Sequence, residues 1–353
     1  MAFDKKACQR RLIRNPKLKD YDAIVVSTSS GKDSISMLSY VMDIAKKQDV
    51  ANRMMALHSD LGTAEWPGVK NLVQVQSKKL RVPFDITSRI GVPSKGGHKP
   101  PNPWPIFAKG DPWGTLLDYY YGRALQLAMS GREKVRPFPD MGNARNCTSE
   151  YKTHPIYDYF KFMAQRWVQS AKRGRPFRVL DAVGLRAEES PGRAKLVSFE
   201  TKQKNQSKQR PYYCDGPWSP VKLDHDKWLP IFCWEEKEVY DYIRKRRLPM
   251  HRAYKLGMPR LSCVVCVFHN LPINVISAYY NPKVYKEFME LEESTGHKFL
   301  LGKTKPWLEE GWKEAQKLKR AGKKPPPAAT YEGNCDIGGC PYAGGIPKRR
   351  RAR

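Results

Sequence analysis

Apolar positions along the first half of the chain switch repeatedly between two periods. "AIVVSTS" (23–29) is an unbroken apolar run that turns polar at its end, the pattern of a parallel strand buried on both faces. "DSISMLSYVMDIAKK" (33–47) follows with apolar residues three and four apart, which predicts a helix. The pair then repeats. "RMMALHSDLG" (53–62) predicts a strand ending in a polar loop, "PGVKNLVQVQSKKLRV" (67–82) a helix, and "PFDIT" (83–87) a third strand. Farther on, "PIYDYFKFMAQRWVQSAKRG" (155–174) reads as a helix and "FRVLDAVGLR" (177–186) as a core strand. Strands alternating with helices imply a parallel sheet covered on both faces, with any ligand beyond the carboxyl ends of the strands.

Other stretches break the pattern. Residues 91–114, "GVPSKGGHKPPNPWPIFAKGDPWG", are crowded with Gly and Pro and predict a long lid or binding loop. Residues 200–210, "ETKQKNQSKQR", predict a polar loop. From about 225 the period becomes helical, clearest in "WEEKEVYDYIRKRRLP" (234–249) and "NPKVYKEFMELEESTG" (281–296). The expected organisation is an α/β nucleotide-binding domain over 1–220, a mainly helical region with a Cys-x-x-Cys over 221–320, and a basic flexible tail over 321–353.

Charge adds a partner to this picture. Lys and Arg number 64 against 35 Asp and Glu, a net +29, more than a fold requires and the usual mark of a polyanion such as nucleic acid. Trp104, Trp113 and Tyr119–Tyr121 offer rings for base stacking, although lid or core packing is the commoner use of such residues. The first twenty residues lack an apolar core segment, and no apolar run is long enough to span a bilayer. A cytoplasmic protein is therefore expected, its eight cysteines reduced and available for metal or redox chemistry.

The turn after the first strand carries the candidate chemistry. "STSSGKDS" (27–34) lacks the Gly-x4-Gly-Lys-Ser/Thr spacing of a Walker A loop. It does place the hydroxyls of Ser27, Ser29, Ser30 and Ser34, the bare backbone of Gly31 and the charge of Lys32 at a helix start, where free N–H groups and the dipole favour an anion. Asp33 can cap the helix or help arrange magnesium. The plainer reading is an ordinary polar N-cap between strand and helix.

"SSGKDS" resembles the pyrophosphate loop of the PP-loop adenine nucleotide alpha-hydrolase superfamily, with Ser30 in place of a glycine. Three more segments are similar to the phosphoadenylylsulfate reductase branch and stand in its order: "HSDLGTAEWPG" (58–68), "RNCTSEYKTHPI" (145–156) and "GLRAEESPGRA" (184–194). The resemblance implies a Rossmann-like fold with a helical C-terminal part and binding of ATP with magnesium. It also implies metal or ribose contacts from Asp60 and Glu65, and phosphate or sulfate contacts from Arg186 and Arg193. Lys32, Asp33, Arg186 and Arg193 are the expected catalytic set. Lys152 is as well read as a solvated helix position, and His58 as a packed strand-end residue.

"CVVC" (263–266) has the gap at which two sulfurs share one metal or cluster. The resemblance brings Cys147 near the nucleotide, so that Cys147, Cys263 and Cys266 would supply three ligands of a [4Fe-4S] cluster. Asn146 stands where a fourth cysteine would be. Zinc held with Cys335 and Cys340 is the alternative, Cys214, Cys233 or His269 are other completing ligands, and Cys8 is incidental. The expected activity is an ATP pyrophosphatase that adenylylates a nucleic-acid group for sulfur insertion, with DNA preferred to RNA and DNA-backbone phosphorothioation the expected product. A cysteine desulfurase or other sulfur donor would be its partner. A sulfonucleotide reductase is the second reading and a tRNA thiolation enzyme the third. "GNCDIGGC" (333–340) lacks the Glu-Cys-Gly context of the reductase nucleophile.

Overall fold

The computed structural model describes residues 3–10, 12, 16–88, 116–132, 134–135, 137–138, 146–171, 175–207, 221–299 and 307–328. The expected lid at 91–114, Cys214, Cys335, Cys340 and the tail beyond 328 lie outside the described residues.

The sheet has six strands: β1 Ala23–Thr28, β2 Met54–Asp60, β3 Phe84–Ser88, β4 Phe177–Ala182, β5 Phe199–Ser207 and β6 Val221–Trp228. Their spatial order is β3-β2-β1-β4-β6-β5. The first five in that order run parallel, and β5 pairs antiparallel with β6 at the edge. This is the α/β, Rossmann-like architecture the alternating periods imply. Ile24, Val25 and Val26 are all fully buried because helices cover both faces of β1.

The helices are α1 Lys5–Arg10, α2 Lys32–Lys47, α3 Val69–Leu80, α4 Leu116–Met129, α5 His154–Ala171, α6 Glu236–Arg246, α7 Arg252–Lys255, α8 Leu271–Tyr280, α9 Pro282–Thr295 and α10 Trp307–Arg320. α2 and α6 seal one face of the sheet, with Met37, Leu38, Val41, Val239 and Ile243 packed on Ile24, Val26 and Leu180. α5 seals the other through Tyr159, Phe160 and Ala164 on Val25, Leu57 and Val179. The C-terminal helices form a second core, in which Tyr285, Phe288 and Leu308 pack with Trp66 and Tyr120.

Four expectations are corrected. The polar stretch 200–210 is strand through Ser207, at the edge of the sheet. The sheet also takes in β6, within the stretch whose period reads as helical. Cys8 is not incidental, and Cys233 is no cluster ligand: the two form a disulfide that ties α1 to the turn after β6. Among the described residues no helix is long and apolar enough to cross a membrane.

Candidate nucleotide and sulfur site

From β1 the chain crosses to β2 on one side, while β4 and β6 lie on the other. The sheet therefore opens between β1 and β4, the switch point at which such folds bind ligands. The segments leaving those two strands are 29–34 and 183–194.

The first is built as an anion cradle. Ser30 has φ 59° and is buried, a left-handed conformation that costs a non-glycine residue roughly 1 kcal/mol. Its hydroxyl donates to the Val69 carbonyl at 2.6 Å, which offsets that cost and sends the side chain away from the loop. The serine that replaces the family's glycine thus leaves the mouth of the loop clear. The Ser29 N–H donates to Ser34 Oγ (3.3 Å), and the Lys32 N–H to the Tyr254 hydroxyl (2.8 Å). A Cβ on Gly31 would lie 3.4 Å from Ser29 Oγ, 3.6 Å from Tyr254 Oη and 4.0 Å from Ser34 Oγ. The space over Gly31 is therefore rimmed by three hydroxyls at the positive end of a sixteen-residue helix, a fit for phosphate. Ser27 sits one step back on β1, its hydroxyl directed to Asp181.

Beneath the cradle lies a buried ionic floor. Lys32 Nζ is 3.4 Å from Asp33 and 3.3 Å from Glu236. Arg186, fully buried, donates from Nε to Asp33 Oδ1 at 2.6 Å and from Nη1 to Glu188 and the Trp234 carbonyl. Burial alone would raise the Asp33 pKa, but Lys32 and Arg186 overcome it and hold the carboxyl below its usual range. Burial likewise works against the charge on Lys32, yet Asp33, Tyr254 and Glu236 raise its pKa and keep it an ammonium. Burial pushes the Glu236 pKa up, with Lys32 opposing. Lys32 and Arg186 are thus committed to carboxylates and shape the loop from below. Arg193 is paired with Glu189, and its N–H is capped by Ser190 at the mouth of the second segment. Glu236 is a site residue the sequence reading missed; its signal is the "WEEKE" capping box, where Glu235 and Glu238 close the start of α6.

His58, Asp60 and Glu65 converge at the end of β2, their donor atoms within 4.8 Å of one another. His58 Nδ1 faces the Thr28 carbonyl (3.0 Å) and Nε2 the Glu65 carboxylate (3.1 Å). Both partners only accept, so the ring is favoured with two protons. Burial lowers its pKa, but Glu65 and Thr28 outweigh that and raise it. A protonated imidazole does not ligate metal, whereas the oxygens of Asp60 and Glu65 suit magnesium. Asp60 also accepts from the Gly62 N–H (2.8 Å) and Lys70 (3.2 Å).

The cysteine segment is laid directly on this acidic loop. Cys263 forms a β-bridge with Glu65, and the Val264 N–H donates to the Ala64 carbonyl at 2.8 Å. Cys147, Cys263 and Cys266 are the free cysteines among the described residues. Burial pushes the Cys263 thiol up to about 12; Lys152 opposes this, while Cys266 and Cys147 add to it. Burial also raises Cys147, again with Cys266 adding and Lys152 opposing. Thiols from two distant parts of the chain therefore act on one another, and Lys152 opposes the rise at both Cys147 and Cys263. Lys152 belongs to a π-helical turn, Ser149–Thr153, a distortion frequent at functional sites. Soft sulfur donors beside one cation fit an iron–sulfur cluster. His269 is no free ligand: Nε2 meets Ser262 Oγ at 2.7 Å and Nδ1 meets Asn274 Oδ1 at 3.3 Å.

Residues 139–268 match the phosphoadenosine phosphosulfate reductase domain family. No curated protein matches the chain. Among solved structures, phosphoadenylyl-sulfate reductase from Candida auris, in a phosphate complex, aligns over 74% of this chain and 88% of its own at 12% identity, with a TM-score of 0.34. FMN adenylyltransferase from Candida glabrata, with FMN and the ATP analog AMPCPP, aligns over 74% and 63% at 10% identity and a TM-score of 0.36. The U34-tRNA thiolase NcsA from Methanococcus maripaludis, with its [4Fe-4S] cluster, aligns over 95% and 80% at 13% identity and a TM-score of 0.32. The matched span holds Cys147, Arg186, Cys263 and Cys266, so this part of the chain is similar to the phosphoadenosine phosphosulfate reductase domain.

Proposed function

We propose that the protein is an ATP pyrophosphatase that adenylylates a nucleic-acid group so that sulfur can replace the adenylate, with DNA-backbone phosphorothioation as the preferred reaction. The observation that carries this reading is the bridge between Glu65 and Cys263, which sets a sulfur-bearing segment against the rim of a phosphate cradle. A substrate oxygen attacks the α-phosphorus of ATP, the bond to the β-phosphate breaks, and pyrophosphate leaves. Ser29, Ser34 and the start of α2 receive the charge on the leaving group, in a cradle whose shape the Lys32–Asp33–Arg186 floor keeps constant. Asp60 and Glu65 are the residues that would hold magnesium, whose chemistry is to neutralise phosphate oxygens. Cys147, Cys263 and Cys266 would hold a [4Fe-4S] cluster, whose chemistry would be to carry sulfur at the sulfide level; a desulfurase with a two-electron reductant, or a direct sulfide donor, would be the source.

The nucleic-acid partner is supported by the far ends of three helices. Lys46 and Lys47 end α2, Lys78 and Lys79 end α3, and Lys245 and Arg247 end α6. The Lys79 ammonium donates to the Arg247 carbonyl, and Arg246 pairs with Asp43 on α2, so the three ends adjoin. Six exposed cations on adjoining ends form a surface for a phosphodiester backbone.

The family match also favours a sulfonucleotide reductase as a second reading. Anaerobic purification with iron and acid-labile sulfide analysis, followed by pyrophosphate release from ATP with DNA, with RNA or alone, separates the two. DNA-stimulated pyrophosphate release by an iron–sulfur protein is expected, and stimulation by RNA alone would move the acceptor to RNA. Sulfite formation from an adenylylsulfate, without pyrophosphate release, would replace the proposal with the reductase.

A further inference from the structure

Tyr254 belongs to no motif, yet it reaches the nucleotide loop from more than two hundred residues away in sequence. It lies in the short helix α7, almost fully buried, behind the His251 N-cap whose side chain accepts from the Ala253 N–H. Its oxygen accepts the Lys32 N–H at 2.8 Å. A phenol oxygen has two acceptor positions and one proton. With one acceptor position used by Lys32, the hydroxyl keeps its own proton, and no hydrogen bond donated by it is found among the described residues. Tyr254 Oη lies 3.6 Å from where a Cβ on Gly31 would stand, so it shares the rim of that space with Ser29 Oγ and Ser34 Oγ.

We infer that Tyr254 is a phosphate-binding residue of the loop, donating its hydroxyl proton to the pyrophosphate end of the nucleotide while its oxygen holds the first N–H of α2. The inference rests on the adenine-nucleotide reading of the 29–34 loop and adds an interaction which that motif does not contain. The hydroxyl does two things at once. It turns the first N–H of α2 from a donor to phosphate into a support for a better-placed O–H donor. It also makes the cradle's geometry depend on the short helix α7, which lies far from the loop in sequence.

The test is calorimetric titration of the full chain and of its Tyr254→Phe variant with ATP, pyrophosphate and AMP, each with magnesium. Loss of one hydrogen bond to a charged phosphate should weaken ATP and pyrophosphate by about tenfold and leave AMP unchanged, because AMP does not reach the cradle. An equal loss for all three ligands would mean a purely structural tyrosine and overturns the inference, as does no change for any. Failure of the unaltered protein to bind ATP or pyrophosphate would instead overturn the nucleotide reading beneath it. Should Tyr254→Phe not fold, Gly31→Ala puts a methyl group against the same hydroxyl, and the same selective loss is expected. An unselective loss or none there would also overturn the inference.

Discussion

Arg186 Nε and Asp33 Oδ1 lie 2.6 Å apart, joining the segment after β4 to the first turn of α2 across the opening of the sheet. Because Arg186 is fully buried, removing Asp33 leaves its charge with Glu188 alone and Nε without an acceptor. Asp33→Ala should lower unfolding stability by about 3–5 kcal/mol, measured by urea denaturation. Asp33 is held below its usual range, so its contribution is present above an unfolded value near 4 and is lost as pH falls through the folded value. A stability change under about 1 kcal/mol would show that the pair does not carry the floor. Any activity measured for this variant has to be read beside its stability.

His269 gives a second pH dependence. Burial, with Arg260 adding, lowers its pKa from 6.5 to about 3, so the folded protein holds the ring neutral between Ser262 and Asn274. The stability this contributes is full above pH 6.5 and declines as pH falls below it, by up to about 1.4 kcal/mol per pH unit. Denaturation curves well above and well below that value should show this decline in the unaltered protein and a shallower one in His269→Gln. Equal slopes would rule it out.

The disulfide between Cys8 and Cys233 closes a loop of 225 residues. Chain entropy predicts a contribution of about 5 kcal/mol for a loop of that size. Thermal unfolding with and without a dithiol reductant should show the loss, and Cys8→Ser should be insensitive to reductant. The turn it anchors contains the Trp234 carbonyl that Arg186 reaches and leads into Glu236, so reduction should also weaken ATP binding.

The basic helix ends predict a salt dependence. Replacing Lys46, Lys78 and Lys245 together by Ser should weaken duplex binding and reduce the slope of log K against log salt by about 0.9 for each phosphate no longer neutralised. Pyrophosphate release without nucleic acid should be unchanged, because these residues stand at the opposite end of α2 from the cradle. An unchanged slope would put the nucleic acid elsewhere.

The strands and helices around the cradle were legible because each carries one clean period. Residues 24–26 are apolar throughout, and α2 repeats at three and four. β6 was not, because "VKLDHDKW" places charged residues at inward positions. Asp226 is buried there, where it accepts the Tyr21 hydroxyl at 2.7 Å, a compensation no local pattern records. The loop residues were legible from the motif, but their postures were not. Lys32 and Arg186 read as ligands for phosphate, and their commitment to Glu236 and Glu188 follows from tertiary structure alone. Tyr254 had no signal, since a tyrosine in "HRAYKLG" reads as core until the loop it touches is in place.

The bridge between Glu65 and Cys263 has a consequence in time. Its two halves are separated by roughly 200 residues, so the pairing forms only after the intervening sheet and helices have closed that distance. A chain still emerging from the ribosome can complete its three N-terminal strands long before Cys263 exists. The edge that carries Cys263 is therefore the last part of the centre to mature.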